Sequence, residues 1–227
     1  MLFQACRDYN LTLNFAKAKI CRREIKFLGY ILTTKGLKAD PKKIHKIQEF
    51  PAPRNIKQLR GFLGLINFYA RFSHELAAET IPLLELLRKD VKWKWETQHQ
   101  EAFERVKMLF INTVVLKHPL PNVPYQLLTD SSDYALDAIL TQVDEDDNQK
   151  IVACASRKLK GPEINYFTSE KEMLAIIWSV KKFKTYLFGA KTTIKTDHRA
   201  LTFLKICKFP RLYYIFYFSI FQYSRFD

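Results

Sequence analysis

The order of strand-like and helix-like runs after residue 124 is the sequence feature that most limits the possible folds. Three extended runs are followed by an amphipathic helix, a fourth strand and a short helix, at residues 125–129, 135–143, 151–156, 169–186, 192–197 and 199–205. An acidic turn, 144–147, separates the second strand from the third. This order, β-β-β-α-β-α, predicts an α/β domain (mixed α+β) in the second half of the chain.

The first half of the chain has mainly helical signals. Residues 2–14 show apolar side chains at helical spacing, and residues 25–33 indicate a strand pair or hairpin with Lys35-Gly36 as the turn. Asp40 before Pro41 predicts a helix start, and Asn55 predicts the cap of a helix over residues 56–69.

The helix over residues 56–69 also contains Gly61 and Gly64, which would let another backbone approach closely. Further helical segments are expected near residues 82–87 and after Thr97. Prolines at 119, 121 and 124 then mark a linker. The predicted divisions are residues 1–36, a helical region at 37–115, and the α/β domain at 116–227.

The net charge points to a polyanionic partner. The 227 residues carry 37 Lys and Arg against 23 Asp and Glu, a net charge of +14. Residues 1–60 alone carry 14 Lys and Arg against four Asp and Glu, a local net charge of +10. Because basic groups bind phosphates, nucleic acid is the expected partner.

Cysteine spacing and hydropathy exclude several other classes of protein. The four cysteines are scattered without a Cys-x-x-Cys pair, which argues against a zinc site or a disulfide framework. The apolar run at residues 212–221 is shorter than the roughly 20 residues of a spanning helix. We therefore expect no membrane partner, and an intracellular location in the cytoplasm or the nucleus.

Three acidic residues lie at the ends of separate predicted elements. Asp130 ends the first strand, Glu172 lies in the first turns of the long helix, and Asp197 ends the fourth strand. Carboxylates that converge from different elements suit divalent cations, which need several oxygen ligands. Local roles remain open, because Asp130 could cap a turn through Ser131 and Asp197 could cap the helix that follows it.

Several blocks in a fixed order then resemble the C-terminal part of the reverse transcriptase of gypsy-type LTR retrotransposon Pol polyproteins. Residues 13–17 and 25–30 resemble the end of the palm and the primer-grip hairpin. Residues 36–41, 50–53 and 59–69 resemble the thumb, and Trp95 with Phe103 resembles the connecting segment. Three further blocks resemble the ribonuclease H domain: residues 129–132 (TDSS), 170–175 (EKEMLA) and 196–198 (TDH).

The resemblance implies a function and a metal site. It implies hydrolysis of the RNA strand of RNA–DNA hybrids with two Mg²⁺ ions, or Mn²⁺, in a parent protein that is an RNA-directed DNA polymerase. Asp130, Glu172 and Asp197 match the catalytic, metal-binding carboxylates. Glu170 competes with Glu172, but a shift of two residues turns a helical side chain by roughly 200°, and Glu172 suits the apolar face that follows. The expected partners are the hybrid, primer–template nucleic acid and the remainder of a Pol polyprotein.

Six further residues are candidates for contacts with nucleic acid. Lys17 resembles a polymerase lysine, and a simple phosphate contact or a surface charge is the alternative. The helix over residues 56–69 could follow the minor groove of primer–template, although its apolar stripe also suits a core. The candidate nucleic-acid-binding residues are Lys17, Lys26, Gly29, Arg60, Arg157 and Tyr166.

The chain departs from the family pattern at three places. It has no Tyr-x-Asp-Asp polymerase motif, and its sequence after about residue 209 does not continue to the family's last strand and fourth catalytic Asp, so we expect a C-terminally truncated ribonuclease H-like domain without polymerase activity. Asp137 stands where the family commonly has Gly. A catalytically inactive nucleic-acid-binding remnant is the main alternative function, and a decaying reading frame is a weaker one.

Overall fold

The chain forms two β-sheets connected by short helices. The computed structural model describes residues 2–14, 16–111 and 115–196. The predicted helix at 199–205 therefore lies outside the described residues. Short 3₁₀ turns occur at Ala70–Phe72 and Gly161–Asn165. In chain order the elements are α1 (Leu2–Asp8), β1 (Glu24–Phe27), β2 (Tyr30–Thr33), β3 (Gly36–Ala39), α2 (Pro41–Gln48), α3 (Ile56–Phe68), α4 (Leu76–Glu79), α5 (Ile81–Glu85), α6 (Thr97–Leu109), β4 (Tyr125–Ser131), β5 (Ala135–Val143), β6 (Gln149–Lys158), α7 (Thr168–Lys182), α8 (Lys184–Leu187) and β7 (Thr192–Lys195).

Strands β1, β2 and β3 form a small antiparallel sheet in that order. The turn of the first hairpin is Leu28-Gly29, where both residues have positive φ (49° and 80°), as a two-residue type I′ turn requires. Of the predicted turn Lys35-Gly36, Lys35 lies in the two-residue turn between β2 and β3, and Gly36 begins the third strand. At Gly36 (φ 139°) a Cβ atom would lie 2.1 Å from the carbonyl oxygen of Leu116, so this strand needs glycine at its first residue.

Helices α2 to α6, residues 41–109, form a helical unit with one apolar core. The predicted caps are present: Asp40 Oδ1 accepts from the Lys42 amide at 3.1 Å, and Asn55 Oδ1 accepts from the Gln58 amide at 2.9 Å. Each cap satisfies an amide that has no partner within its helix. The fully buried core side chains of α3 are Leu59, Phe62 and Ile66.

The two glycines of α3 do not have the role that the sequence predicted. Among the described residues, no heavy atom outside the helix's own backbone and the glycines' chain neighbours lies within 4 Å of a Cβ atom built at Gly61 or Gly64. Both positions are exposed on the face opposite the buried stripe. The described part of the chain therefore places no second backbone against this face, and the expectation of close packing is wrong here.

Strands β4 to β7 form a mixed sheet in the order β6-β5-β4-β7. Strand β4 is antiparallel to β5 and parallel to β7, and β5 is antiparallel to β6. Helix α7 packs on one face, where Leu127, Leu140 and Ile176 belong to one buried cluster. No helix in the described ranges is long and apolar enough to cross a membrane.

The opposite face of this sheet packs against the helical unit. Cys154 of β6 belongs to the helical unit's buried cluster, and burial raises the pKa of its thiol to about 12. Leu37 and Leu116 exchange backbone hydrogen bonds of 2.7 and 3.0 Å, and the Lys117 amide donates to Ile151 O at 2.7 Å. Residues on both sides of the predicted division near residue 115 therefore contribute to one packed core.

Candidate active site

Asp130 lies near the C-terminal end of β4 with an exposed side chain. Its Oδ1 accepts a hydrogen bond from the Ser131 amide at 2.8 Å. Side chains alternate between the two faces of a strand, so Asp130 points to the helical-unit face and Ser131 to the α7 face. The end of β4 is thus the place where groups from both faces meet.

Glu172 reaches the same strand end from α7. Its side chain is buried, with 4% of its surface exposed. Its Oε1 accepts from the Ser131 hydroxyl at 2.7 Å and from the Ser131 amide at 3.2 Å. Asp130 and Glu172 therefore share one backbone N–H group, although they are 42 positions apart in the sequence.

Glu170, the competing candidate, has a different role. It is exposed, and its Oε2 accepts from the Phe167 amide at 2.9 Å, which caps the start of α7. The two-residue spacing turns its side chain away from the strand end, as the helical geometry requires. Of the two glutamates, the structure brings only Glu172 to Asp130.

The loop between β4 and β5 is fixed to α7 next to this site. Ser132 Oγ accepts from the Ala135 amide at 2.9 Å, which holds the loop closed. Asp133 Oδ1 accepts from Lys171 Nζ at 2.8 Å, and the Lys171 side chain is buried. These contacts join the loop to the turn of α7 that contains Glu172.

Asp197, the third predicted carboxylate, lies outside the described residues, as does His198. Strand β7 is paired with β4 as far as Leu128↔Lys195, so the described chain stops one residue after a strand that runs beside the strand of Asp130. The described residues alone contain no group of three His, Cys, Asp or Glu side chains arranged to hold a metal ion.

Asp137 is the acidic residue that faces Asp130. The two are directly opposite each other in the β4–β5 register, and Ser156 of β6 is opposite Asp137. Burial, together with the negative charges of Asp130 and Glu75, raises the pKa of Asp137 to about 7. Asp137 Oδ1 is buried and accepts no hydrogen bond from the described residues.

Four of the six predicted nucleic-acid contacts lie in the first part of the chain. Lys17 and Arg60 are exposed. Lys26 Nζ is 3.3 Å from Asp40 Oδ2 and remains largely exposed. Gly29 occupies the β1–β2 turn, where its carbonyl oxygen accepts from the Tyr69 hydroxyl at 3.1 Å. Their contacts with nucleic acid stay a prediction.

The other two predicted contacts differ in accessibility. Arg157 forms a bidentate pair with Glu163, at 2.6 and 3.1 Å, and stacks over the Trp178 ring at 5.6 Å. Its guanidinium is thus already paired with Glu163, and a contact with nucleic acid would have to break this pair. Tyr166 is 42% exposed at the end of the second 3₁₀ turn, shortly before α7.

A cleft of about 590 Å³ lies elsewhere, between the small sheet, β6 and the C-terminal end of α7. Its walls include Arg71, Lys117 and Lys182, but none of the predicted carboxylates. Glu172 is ten residues before Lys182 on α7, a helical distance of roughly 15 Å. The candidate active site is therefore the strand end at Asp130, not this cleft.

The strand end at Asp130 lies in a part of the chain that is similar to a known protein family. Residues 95–194 match the family described as the RNase H-like domain found in reverse transcriptase. The match contains Asp130, Asp137 and Glu172, and it begins in the helical unit, two residues before α6.

Relatives and solved structures extend the similarity beyond this domain. The chain is 37% identical to the Pol polyproteins of transposons opus and 412 of Drosophila melanogaster, over 86% and 89% of its length. It is also 37% identical to the transposon Tf2-3 polyprotein of Schizosaccharomyces pombe, over 88% of its length. The chain spans only 20%, 16% and 15% of these three proteins.

The solved structures show the fold. The foamy viral protease–reverse transcriptase dRH in complex with ds DNA has a TM-score of 0.75 and 19% identity, covering 100% of this chain and 41% of its own. The same viral enzyme in complex with RNA/DNA hybrid has a TM-score of 0.73 and 19% identity, covering 99% and 32%. The predicted mixed α/β, RNase H-like fold is confirmed.

Sequence reasoning missed two residues of the site. Ser131 was considered only as part of a turn, and Asp137 only as a replacement for glycine. The short loop between residues 131 and 135 could have predicted that Asp137 faces Asp130, because the length of a hairpin loop sets which residues lie opposite each other. The link between Ser131 and Glu172 depends on how α7 packs, and no local pattern contains it.

Proposed function

We propose that this chain is part of a gypsy-type retrotransposon Pol polyprotein and that its RNase H-like domain hydrolyses the RNA strand of RNA–DNA hybrids. The observation that carries the proposal is the convergence of Asp130 and Glu172 on one amide, Ser131 N. The preceding residues would be the end of a reverse-transcriptase palm, followed by a thumb and connecting segment. The hybrid, primer–template nucleic acid and the rest of the polyprotein would be its partners.

Carboxylates at this strand end fit Mg²⁺, or Mn²⁺ in its place. Both cations prefer hard oxygen ligands, and the donors that meet here are carboxylate oxygens. Asp130 forms no ion pair within the described residues, so its charge is available to a cation. Asp130, Glu172 and Asp197 would hold two ions, which when bound supply Lewis acidity for attack by water and for departure of the leaving oxygen.

The protein's own groups hold these carboxylates in place. The Ser131 amide and hydroxyl fix Glu172 Oε1, which keeps a buried carboxyl group hydrogen-bonded. The Lys171–Asp133 pair ties α7 to the β4–β5 loop, so the helix and the strand end keep their relative position. Asp130 is exposed, so a phosphodiester of the substrate can reach it from solvent. Because hybrids are recognised by shape and backbone, little base specificity is expected.

Cleavage of a hybrid with a labelled RNA strand tests the proposal. The purified chain should release RNA fragments with Mg²⁺ or Mn²⁺, and Asp130→Asn should reduce release to background, because the variant loses a charged oxygen ligand. Asp146→Asn is the matched control, since it removes the same charge in the exposed 144–147 turn. Absence of cleavage by the folded chain at every metal concentration would sink the proposal.

The net charge of +14 favours hybrid binding even without cleavage. Binding measured by fluorescence anisotropy should weaken as salt rises, with log affinity falling linearly with log salt concentration. Salt-sensitive binding in a folded chain that never cleaves would identify the alternative, an inactive nucleic-acid-binding remnant.

A further inference from the structure

We propose that Asp137 is a further carboxylate ligand of the cation site that contains Asp130. The proposal rests on the proposed function, because it adds a residue to the same site. The second strand of the sheet would thus supply a ligand beside the one from β4.

Strand register places the two carboxylates side by side. Asp130 and Asp137 are direct partners in the antiparallel β4–β5 pair, so their side chains leave the same face of the sheet. Such partners have Cβ atoms about 4.5–5.5 Å apart. Carboxylates at that spacing can both reach one Mg²⁺, whose oxygen ligands lie about 2.0–2.1 Å away.

The described residues place no cationic side chain against Asp137. Neither Asp130 nor Asp137 forms an ion pair among the described residues. The neighbouring charges, those of Asp130 and Glu75, are both negative. Ser156, on the other side of Asp137, uses its hydroxyl oxygen to accept from the Ala77 amide at 3.1 Å.

Burial makes this arrangement costly unless a cation is present. Asp137 is half-buried beneath the helical unit, and its Oδ1 accepts no hydrogen bond from the described residues. Like charges directly opposite each other destabilise a sheet. A divalent cation between them would become the largest local charge and reverse the sign of the interaction. Binding of a cation would therefore relieve the repulsion between the two ionised carboxylates.

Mn²⁺ binding to the full chain, followed by the electron paramagnetic resonance signal of free Mn²⁺, tests the assignment. Asp137→Asn should weaken Mn²⁺ binding by at least about tenfold, the smallest loss typical when even an outer partner of a metal site is removed. Asp137→Glu, which keeps the carboxylate, should bind Mn²⁺ more tightly than Asp137→Asn. Asp146→Asn should bind as the unaltered chain does.

Asp130→Asn separates this proposal from the proposed function. If Asp130→Asn loses Mn²⁺ binding and Asp137→Asn binds like the unaltered chain, the assignment of Asp137 is wrong and the Asp130 site stands. If the unaltered chain binds no Mn²⁺, both are wrong. Circular dichroism checks that each variant is folded, and Asp137→Ser repeats the comparison if the Asn variant does not fold.

Hybrid cleavage gives a second readout. A weakened ion site should cleave slowly at low Mg²⁺ and recover as Mg²⁺ is raised, so Asp137→Asn should shift the Mg²⁺ dependence to higher concentration. Asp130→Asn should not recover at any concentration. An unchanged Mg²⁺ dependence in folded Asp137→Asn would overturn the proposal.

Discussion

Ser131 holds the candidate site together at the scale of single residues. Its amide donates to Asp130 and to Glu172, and its hydroxyl donates to Glu172 as well. A buried carboxylate that loses a hydrogen bond keeps its desolvation cost without the compensating donor. The geometry of both carboxylates thus depends on a residue that is itself neither acidic nor basic.

Ser131→Ala should therefore lower both stability and cleavage. Hydrogen bonds to charged groups contribute about 1.5–3 kcal/mol, and a loss in that range is expected in urea unfolding. Cleavage should fall because Glu172 is no longer held at the strand end. Ser169→Ala, on the exposed side of α7, should change stability by less than about 0.5 kcal/mol. Equal effects of the two substitutions would contradict this account.

Asp137 gives a pH-dependent prediction. Its pKa is about 7 in the folded chain against an ordinary value of 3.8, so the folded state binds the proton more tightly than the unfolded state. The ionised carboxylate therefore lowers the free energy of unfolding by its full amount above pH 7. This loss disappears as pH falls toward 4.

Asp137→Asn should accordingly stabilise the metal-free chain at pH 8. We expect about 1–3 kcal/mol, reduced from the full shift because the side chain is only half-buried. The gain should shrink toward zero near pH 4 when unfolding by urea is repeated in the presence of a chelator. A gain that is the same at both pH values would show that charge is not its cause.

The helices whose ends are set by a short sequence motif begin where that motif predicts. Asn55 caps α3 and Asp40 caps α2 as their sequences predicted, because the cap is formed within a few residues of the chain. The third strand of the small sheet was not predicted. Gly36 can begin it only because Leu116, 80 residues later, supplies a hydrogen-bonding partner to Leu37.

Asn55→Ala should destabilise the chain by about 1 kcal/mol, because the Gln58 amide loses its acceptor. Asn55→Asp is the matched control, since aspartate caps about as well as asparagine. Thermal or urea unfolding measures both. A loss of the same size in both variants would show that the cap is not what Asn55 contributes.

Two glycines offer a second matched pair. Gly36→Ala places a Cβ atom against the Leu116 carbonyl at a positive φ, so a loss of several kcal/mol is expected from the clash and the backbone strain. Gly61→Ala lies in an open helical position and should stabilise by about 0.5–1 kcal/mol. Urea unfolding of the two variants should therefore shift in opposite directions.

The helical unit and the mixed sheet share their packing at the scale of the whole molecule. Cys154 of the sheet lies in the helical unit's core, and Ile139 and Ile151 pack against it. Backbone hydrogen bonds join Leu37 to Leu116 and Lys117 to Ile151. Both parts should therefore unfold together.

The three tryptophans allow this to be measured. Trp93 and Trp95 pack on the core of the helical unit, and Trp178 packs on the core beneath α7. Trp178→Phe leaves reporters in the helical unit only, and the double variant Trp93→Phe, Trp95→Phe leaves a reporter beside the sheet only. Within each variant the fluorescence midpoint in urea should match that from circular dichroism. Separate midpoints would show two independently unfolding parts.

The sequence by itself determined the order of the elements from β4 to β7 and the caps of α2 and α3, and the resemblance of its short motifs to a known family singled out Asp130 and Glu172. These follow from side-chain periodicity and short motifs, which depend on neighbours along the chain. Only the tertiary structure decided that Ser131 joins these two carboxylates, that Asp137 faces Asp130, and that the helical unit covers the sheet. Those contacts join residues far apart in sequence, and packing and strand register fix them rather than any local pattern.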